Sequence, residues 1–95
     1  GGSYFSFSEG VSLYVDCADQ EEVDEYWDKL VKAGATPTSC GWIKDPFGLT
    51  WQIVPRRFTE LTQDRDPRKV KAVMEAMLTM VKLDVAELER AYNEA

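Results

Sequence analysis

The chain has 95 residues, which is the length of one small domain with a modest core. Its composition, 44% hydrophobic and 29% charged, is ordinary for a soluble globular protein, and no apolar run is long enough to span a membrane. The formal net charge of -6 argues against nucleic acid as a partner, because a phosphate-binding surface needs clustered Lys and Arg.

Residues 1–10 are either a segment leading into the fold or a short edge strand. A clearer strand pattern comes directly after them. Over residues 11–17, apolar and polar side chains alternate, as they do in a strand with one buried face. The apolar face carries Val11, Leu13, Val15 and Cys17, and the polar face carries Ser12, Tyr14 and Asp16.

A helix is predicted after this strand. Asp19 precedes Glu22 by three residues, as an N-cap precedes the acid of a capping box. Gly34 is placed to end the helix at the C′ position. Between them, apolar residues recur at helical spacing, so we expect this helix to cover the apolar face of the sheet: Val23, Tyr26, Trp27, Leu30 and Val31.

Two further strands are predicted on either side of a tight turn. Residues 37–44 form the first, and the second continues to residue 54. The turn between them is Asp45-Pro46-Phe47-Gly48, in which Asp bonds the local backbone, Pro fixes φ and Gly takes a positive φ. In the second strand, Leu49, Trp51 and Ile53 share one face, and Thr50, Gln52 and Val54 share the other.

The last 40 residues predict helices. A short helical turn is expected over residues 57–62, and Asp66-Pro67 marks a helix start, with Asp as N-cap and Pro at the first helical position. Asp84, with Glu87 three residues on, marks another start. The longer helix carries one apolar stripe, made of Val70, Val73, Met74, Met77, Leu78 and Val81. The last helix directs Val85, Leu88, Ala91 and Tyr92 inward.

The two cysteines, Cys17 and Cys40, bear on location and chemistry. No charged-then-apolar leader opens the sequence, so we expect a cytoplasmic protein with two reduced thiols packed as small hydrophobic groups. A disulfide is the weaker alternative. A catalytic thiol is weaker still, because the chain has no His to activate it.

The stretch CGWIKDPFGLTWQIVP (40–55) resembles the signature of the PhnB-like family, named for 3-demethylubiquinone-9 3-methyltransferase. This family is a branch of the glyoxalase, bleomycin-resistance and dioxygenase (vicinal oxygen chelate) superfamily. The resemblance extends upstream over residues 11–17 and 20–24, and downstream over 73–78 and 82–86. It implies an α+β fold: residues 1–10 lead in, 11–55 form a βαβββ module with a curved mixed sheet and a covering helix, and 56–95 form a C-terminal helical extension.

The resemblance also implies a missing partner. Family members pair two such modules around a cup, and this chain matches only the second module with its helices. We therefore expect a homodimer in which a second copy completes the fold, with exchange of elements as one route.

Superfamily members commonly hold a divalent metal with His and Glu on the first and last strands of each module. These positions fall on Ser12 and Gln52 in this sequence. A hydroxyl and an amide are poor ligands for Zn, Ni or Fe, so we expect no metal. We expect no other cofactor, because methyl transfer from S-adenosylmethionine usually relies on a glycine-rich turn that this sequence lacks.

The candidate ligand-binding residues are Ser12, Tyr14, Thr50 and Gln52 on the polar strand faces. They predict a metal-free module that binds a small organic molecule through neutral hydrogen-bonding groups. Two alternatives stay open: half of an enzyme whose other module supplies the reactive groups, or a structural or interaction domain. No catalytic residue is assigned, because Asp16 and Asp45 are explained by a strand end and a turn.

Overall fold

The computed structural model describes residues 12–95, which form a strand, a helix, three strands and three helices. This order confirms the α+β fold and the βαβββ arrangement of the module. Val11 and the predicted lead-in or edge strand at residues 1–10 lie outside the described residues. The elements are β1 (Ser12–Cys17), α1 (Gln20–Lys32), β2 (Thr36–Pro37), β3 (Trp42–Lys44), β4 (Thr50–Pro55), α2 (Arg56–Thr62), α3 (Pro67–Leu78) and α4 (Val85–Glu94).

The four strands form one mixed sheet in the order β1-β4-β3-β2. β1 runs parallel to β4, with Ser12 opposite Thr50 and Tyr14 opposite Gln52. β3 is antiparallel to both of its neighbours, and Trp42 lies opposite Gln52. The first and last strands of the module are therefore neighbours, although a helix and two strands separate them along the chain.

Helix α1 covers one face of the sheet, as predicted. Its capping box is complete: the amide of Glu22 donates to Asp19 Oδ1 over 3.0 Å, and the amide of Ala18 donates to Glu22 Oε1 over 3.1 Å. Gly34, with φ of 101°, follows the helix end. The first core cluster joins the helix to the sheet through Cys17, Val23, Trp27, Ala35, Ile43 and Ile53. Tyr26 and Val31 share the predicted apolar spacing but remain 41% and 43% exposed.

The prediction of one strand over residues 37–44 is wrong. The chain turns back at Cys40 and Gly41, whose φ angles are 56° and 83°, so that β2 and β3 form an antiparallel pair. The amides of these two residues donate to the carbonyl oxygens of Met80 and Val81, over 2.8 and 2.7 Å. Left-handed φ angles at two successive residues end the extended pattern.

In the helical extension, α3 and α4 begin at the predicted N-cap residues. Asp66 Oδ1 accepts from the amide of Arg68 over 2.9 Å, and Asp84 Oδ1 accepts from the amide of Glu87 over 3.2 Å. The extension packs on the face of the sheet opposite α1 through a second core cluster: Val54, Leu61, Val73, Leu83 and Leu88.

The predicted stripe on α3 is partly wrong. α3 ends at Leu78, where the Thr79 hydroxyl donates to the carbonyl of Ala76 over 2.7 Å, so Val81 lies in the following loop. Val73 is fully buried, but Met74 and Leu78 are 40% and 64% exposed. Both cysteines are free, as predicted. Among residues 12–95, no helix has the length and apolar character needed to cross a membrane.

Candidate functional site

The face of the sheet opposite α1 carries the polar strand positions. Ile43 and Ile53 belong to the core beneath α1, so their neighbours along β3 and β4 point to the other side. The strand register arranges those neighbours in two rows across the sheet. Tyr14, Gln52 and Trp42 form one row, and Ser12, Thr50 and Lys44 form the other. We call these six residues the open face.

The helical extension covers one end of this side of the sheet and stops short of the open face. Val54, two residues beyond Gln52 on β4, is only 6% exposed and packs in the second core cluster. Its partner on β1, Asp16, forms an ion pair with Arg56 over 3.5 Å. The open face therefore has a covered end at Val54 and continues away from the helices.

A hydrogen bond joins the two strands at the centre of the open face. Gln52 Nε2 donates to Ser12 Oγ over 2.7 Å, and both residues are half-buried. Within the described chain, the Gln52 amide makes no other hydrogen bond, and no buried side-chain nitrogen or oxygen lacks a partner. The Gln52 Oε1, which has no partner in the described chain and is not buried, is thus accessible to a molecule on this face.

The other predicted residues lie beside this pair. Tyr14 is 55% exposed, with its hydroxyl 3.4 Å from Thr59 Oγ1 at the border with α2. Thr50 is half-buried and lies opposite Ser12. The structure therefore brings Ser12, Tyr14, Thr50 and Gln52 onto one continuous surface.

The sequence prediction missed Trp42 and Lys44. Both belong to the same face because they flank the buried Ile43 on β3. That alternation is present in the sequence, but the pairing of these residues with Gln52 and Thr50 depends on the register between β3 and β4, which no local pattern specifies.

The family model for 3-demethylubiquinone-9 3-methyltransferase matches residues 1–54. The chain belongs to this family. The family is glyoxalase-like, and the match ends within β4, so the helical extension lies beyond it. No curated protein matches the chain.

The open face does not fit a metal of the kind that glyoxalase-like proteins hold. The two ligand positions are a hydroxyl and an amide that bond each other, and neither carries the charge or imidazole that tight sites use. Among residues 12–95, no three His, Cys, Asp or Glu side chains are grouped as metal ligands. Two carboxylates on or next to these strands already have partners: Asp16 pairs with Arg56, and Asp45 binds its own turn.

The described residues, 12–95, also do not fit the methyl donor that the family name implies. The positive-φ glycines of the described chain, Gly34, Gly41 and Gly48, occupy a helix end and two turns between strands. They are not grouped into a loop before a helix N-terminus, which is the arrangement that usually holds such a nucleotide cofactor.

The pKa values of two groups in the sheet and its turn, Cys17 and Asp45, are shifted from their usual range. Burial, with smaller effects from Glu22, Asp16 and Asp19, raises the pKa of the Cys17 thiol to about 11. The thiol is therefore neutral near pH 7 and unsuited to attack a substrate. Hydrogen bonding from Trp51, followed by bonds from the turn backbone, lowers the pKa of Asp45. Neither group lies on the open face, whose Ser12, Thr50 and Gln52 offer neutral hydrogen bonding.

Proposed function

We propose that this chain is a metal-free glyoxalase-like module that binds a small organic molecule on the open face. The observation that carries the proposal is the hydrogen bond from Gln52 to Ser12. It holds the amide in one orientation and leaves the carbonyl oxygen for a ligand. Small-molecule sites typically combine a few fixed polar groups of this kind with apolar walls.

The placement of the helical extension supports this proposal. It buries Val54 but leaves Gln52, Thr50 and Ser12 half-exposed on the same side of the sheet. The surface is polar at its centre and carries aromatic rings at both sides of Gln52, as a ligand surface would.

A fragment screen by NMR tests the proposal. We expect some fragments to shift the Gln52 side-chain amide together with the backbone amides of Tyr14 and Thr50. Gln52→Leu should weaken those fragments about five- to tenfold, because it removes a hydrogen bond of about 1 kcal/mol and the orientation it provides. Gln63→Leu, at an exposed position after α2, is the control. Hits that bind only elsewhere would contradict the proposal.

We further propose that a second copy of the chain completes the cup. β1 lies at the edge of the sheet and has one strand neighbour, β4, among the described residues. Leu13 and Tyr14 on this strand are 42% and 55% exposed. An edge strand with exposed apolar side chains is a template for pairing with another chain. Exchange of elements between the copies is a variant of the same dimer.

Native mass spectrometry of the purified protein tests the dimer. We expect a dimer mass for the wild type and a largely monomeric Leu13→Lys variant, since a buried, unpaired Lys at the interface would cost several kcal/mol. Val31→Lys is the matched control, because Val31 is 43% exposed but lies on α1. A monomeric wild type, or equal effects of the two substitutions, would contradict this arrangement.

A further inference from the structure

Two aromatic side chains flank the Gln52 amide in one row of the open face. Tyr14 lies directly opposite Gln52 on β1, and Trp42 lies directly opposite it on β3. Neighbouring strands are about 4.8 Å apart, so the two aromatic residues rise from the sheet about 10 Å apart. A flat ring placed over the amide between them would contact both aromatic side chains.

Trp42 remains partly exposed on the open face. It is half-buried, yet it belongs to neither hydrophobic cluster of the described chain. Trp51, by contrast, packs against the first cluster and donates its indole N–H to Asp45 Oδ2 over 3.0 Å. The exposed part of Trp42 is available for a ligand.

The neighbouring row of the open face contains a cationic side chain. Lys44 lies opposite Thr50, is exposed, and forms no ion pair with any residue between 12 and 95. It is diagonal to Gln52, and diagonal neighbours on adjacent strands are about 7–8 Å apart, within reach of a long side chain. The other cation on this side of the sheet, Arg56, is paired with Asp16 at the covered end.

We propose that the ligand of the open face is a planar aromatic anion, such as an aromatic carboxylate or phenolate. Its ring lies between Tyr14 and Trp42, the Gln52 amide bonds a polar substituent, and Lys44 pairs with the negative group. This inference rests on the proposed binding function and specifies the class of molecule.

The overall charge of -6 does not oppose this choice. At physiological ionic strength, charges more than about 8 Å apart are largely screened. The charge nearest the ligand therefore contributes most to the electrostatic interaction with it. An aromatic cation would also find the rings of Tyr14 and Trp42 attractive. Lys44 in the adjacent row selects against it.

A matched set of probes tests the inference on the full chain. The probes are benzoate, benzamide, cyclohexanecarboxylate and benzylamine. Relative to benzoate, benzamide lacks the charge, cyclohexanecarboxylate lacks the aromatic ring, and benzylamine carries the opposite charge. We expect benzoate to bind the open face more tightly than each of the others, measured by NMR titration of the Gln52 side-chain amide. A partly exposed ion pair corresponds to a difference of about two- to fivefold in affinity.

Two substitutions assign the effects to their residues. Lys44→Gln should reduce benzoate affinity to that of benzamide and leave benzamide unchanged, whereas Lys32→Gln, on α1, should change neither. Trp42→Leu should weaken benzoate and benzamide about two- to tenfold and leave cyclohexanecarboxylate unchanged. Far-UV circular dichroism of the variants checks that each is folded.

The outcomes separate the two proposals. One outcome is that fragments or probes shift the Gln52 amide while benzoate binds no more tightly than the other probes. Another is that they shift it while Lys44→Gln leaves the affinity for benzoate unchanged. In either case the inference about the ligand class is wrong and the binding function stands. Preference for benzylamine would also overturn the inference. If neither the fragment library nor any of the four probes shifts the Gln52 amide, both proposals are wrong.

Discussion

At the scale of single residues, Asp45 shows how one carboxylate organises the turn between β3 and β4. Its Oδ1 accepts from the amides of Phe47 and Leu49, each over 2.9 Å, and its Oδ2 accepts from the indole of Trp51 over 3.0 Å. The side chain thus links the turn to a strand residue that packs under α1. The bond from Trp51 is the largest of the effects that lower the pKa of Asp45.

This pKa predicts a pH-dependent contribution to stability. A carboxyl group whose pKa is lower in the folded than in the unfolded state stabilises the fold above its unfolded pKa, and the contribution is lost as the pH falls through the folded pKa. Asp45→Asn should therefore lower the free energy of unfolding at about pH 7, and the difference from wild type should shrink toward about pH 3. Urea denaturation at both pH values measures it.

Asp28→Asn is the control, because Asp28 is exposed on α1. It should leave the free energy of unfolding nearly unchanged at both pH values. A difference between Asp45→Asn and wild type that stays constant across the pH range would contradict the assigned role of the carboxylate.

The sequence predicted the roles of individual residues well where the interaction is local. Asp19, Asp66 and Asp84 cap helices through amides two or three residues away, and Asp45 binds its own turn. Alternation also placed Ser12 and Gln52 on polar strand faces. Their hydrogen bond could not be predicted in the same way, because it depends on the register between β1 and β4, which no local pattern specifies.

At the scale of elements, the turn between β2 and β3 depends on a distant part of the chain. A Cβ at Gly41 would lie 2.9 Å from Leu83 Cγ and 3.2 Å from the carbonyl oxygen of Ile53. The Gly41 amide also donates to Val81. The loop between α3 and α4 therefore packs directly on this turn, and this is why the break in the predicted strand at 37–44 could not be found from the residues around it.

The contact predicts unequal effects for two glycines in turns. Gly41→Ala should lower the free energy of unfolding by about 2–4 kcal/mol, since it combines an unfavourable φ with a clash against Leu83. Gly48→Ala should lower it by about 1–2 kcal/mol, because its φ of 90° is equally unfavourable but no atom lies within 4 Å of the added Cβ. Chemical denaturation measures both values. Equal losses of unfolding free energy would show that the Leu83 side chain moves away from the added Cβ without destabilising the fold.

At the scale of the whole molecule, β4 joins the two hydrophobic clusters. Ile53 is fully buried in the first cluster, and Val54, the next residue, is buried in the second. Gln20 adds a second link between the module and the extension. Its side chain donates to the carbonyl of Leu83 over 3.1 Å and accepts from the amide of Val85 over 2.6 Å. We therefore expect the module and the helical extension to unfold as one cooperative structure.

Cooperativity predicts that a substitution in the second cluster also destabilises the first cluster. Leu88→Ala should lower the free energy of unfolding by about 2–5 kcal/mol, because Leu88 is fully buried. Its thermal transition should shift by the same amount whether followed by tryptophan fluorescence, which reports Trp27, Trp42 and Trp51 of the module, or by helical circular dichroism. Two separate transitions would show that the extension unfolds independently.

The parallel pairing of β1 with β4 also has a consequence for the order of events during synthesis. The hydrogen bond between Ser12 and Gln52 spans 40 residues of sequence. On the ribosome, β1 emerges long before β4, and among residues 12–95 it has no strand partner until residues 50–55 have left the exit tunnel. The hydroxyl of Ser12 and the amide of Gln52 then come together in the same step that closes the sheet, so a nascent module has no open face to occupy until its last strand is in place.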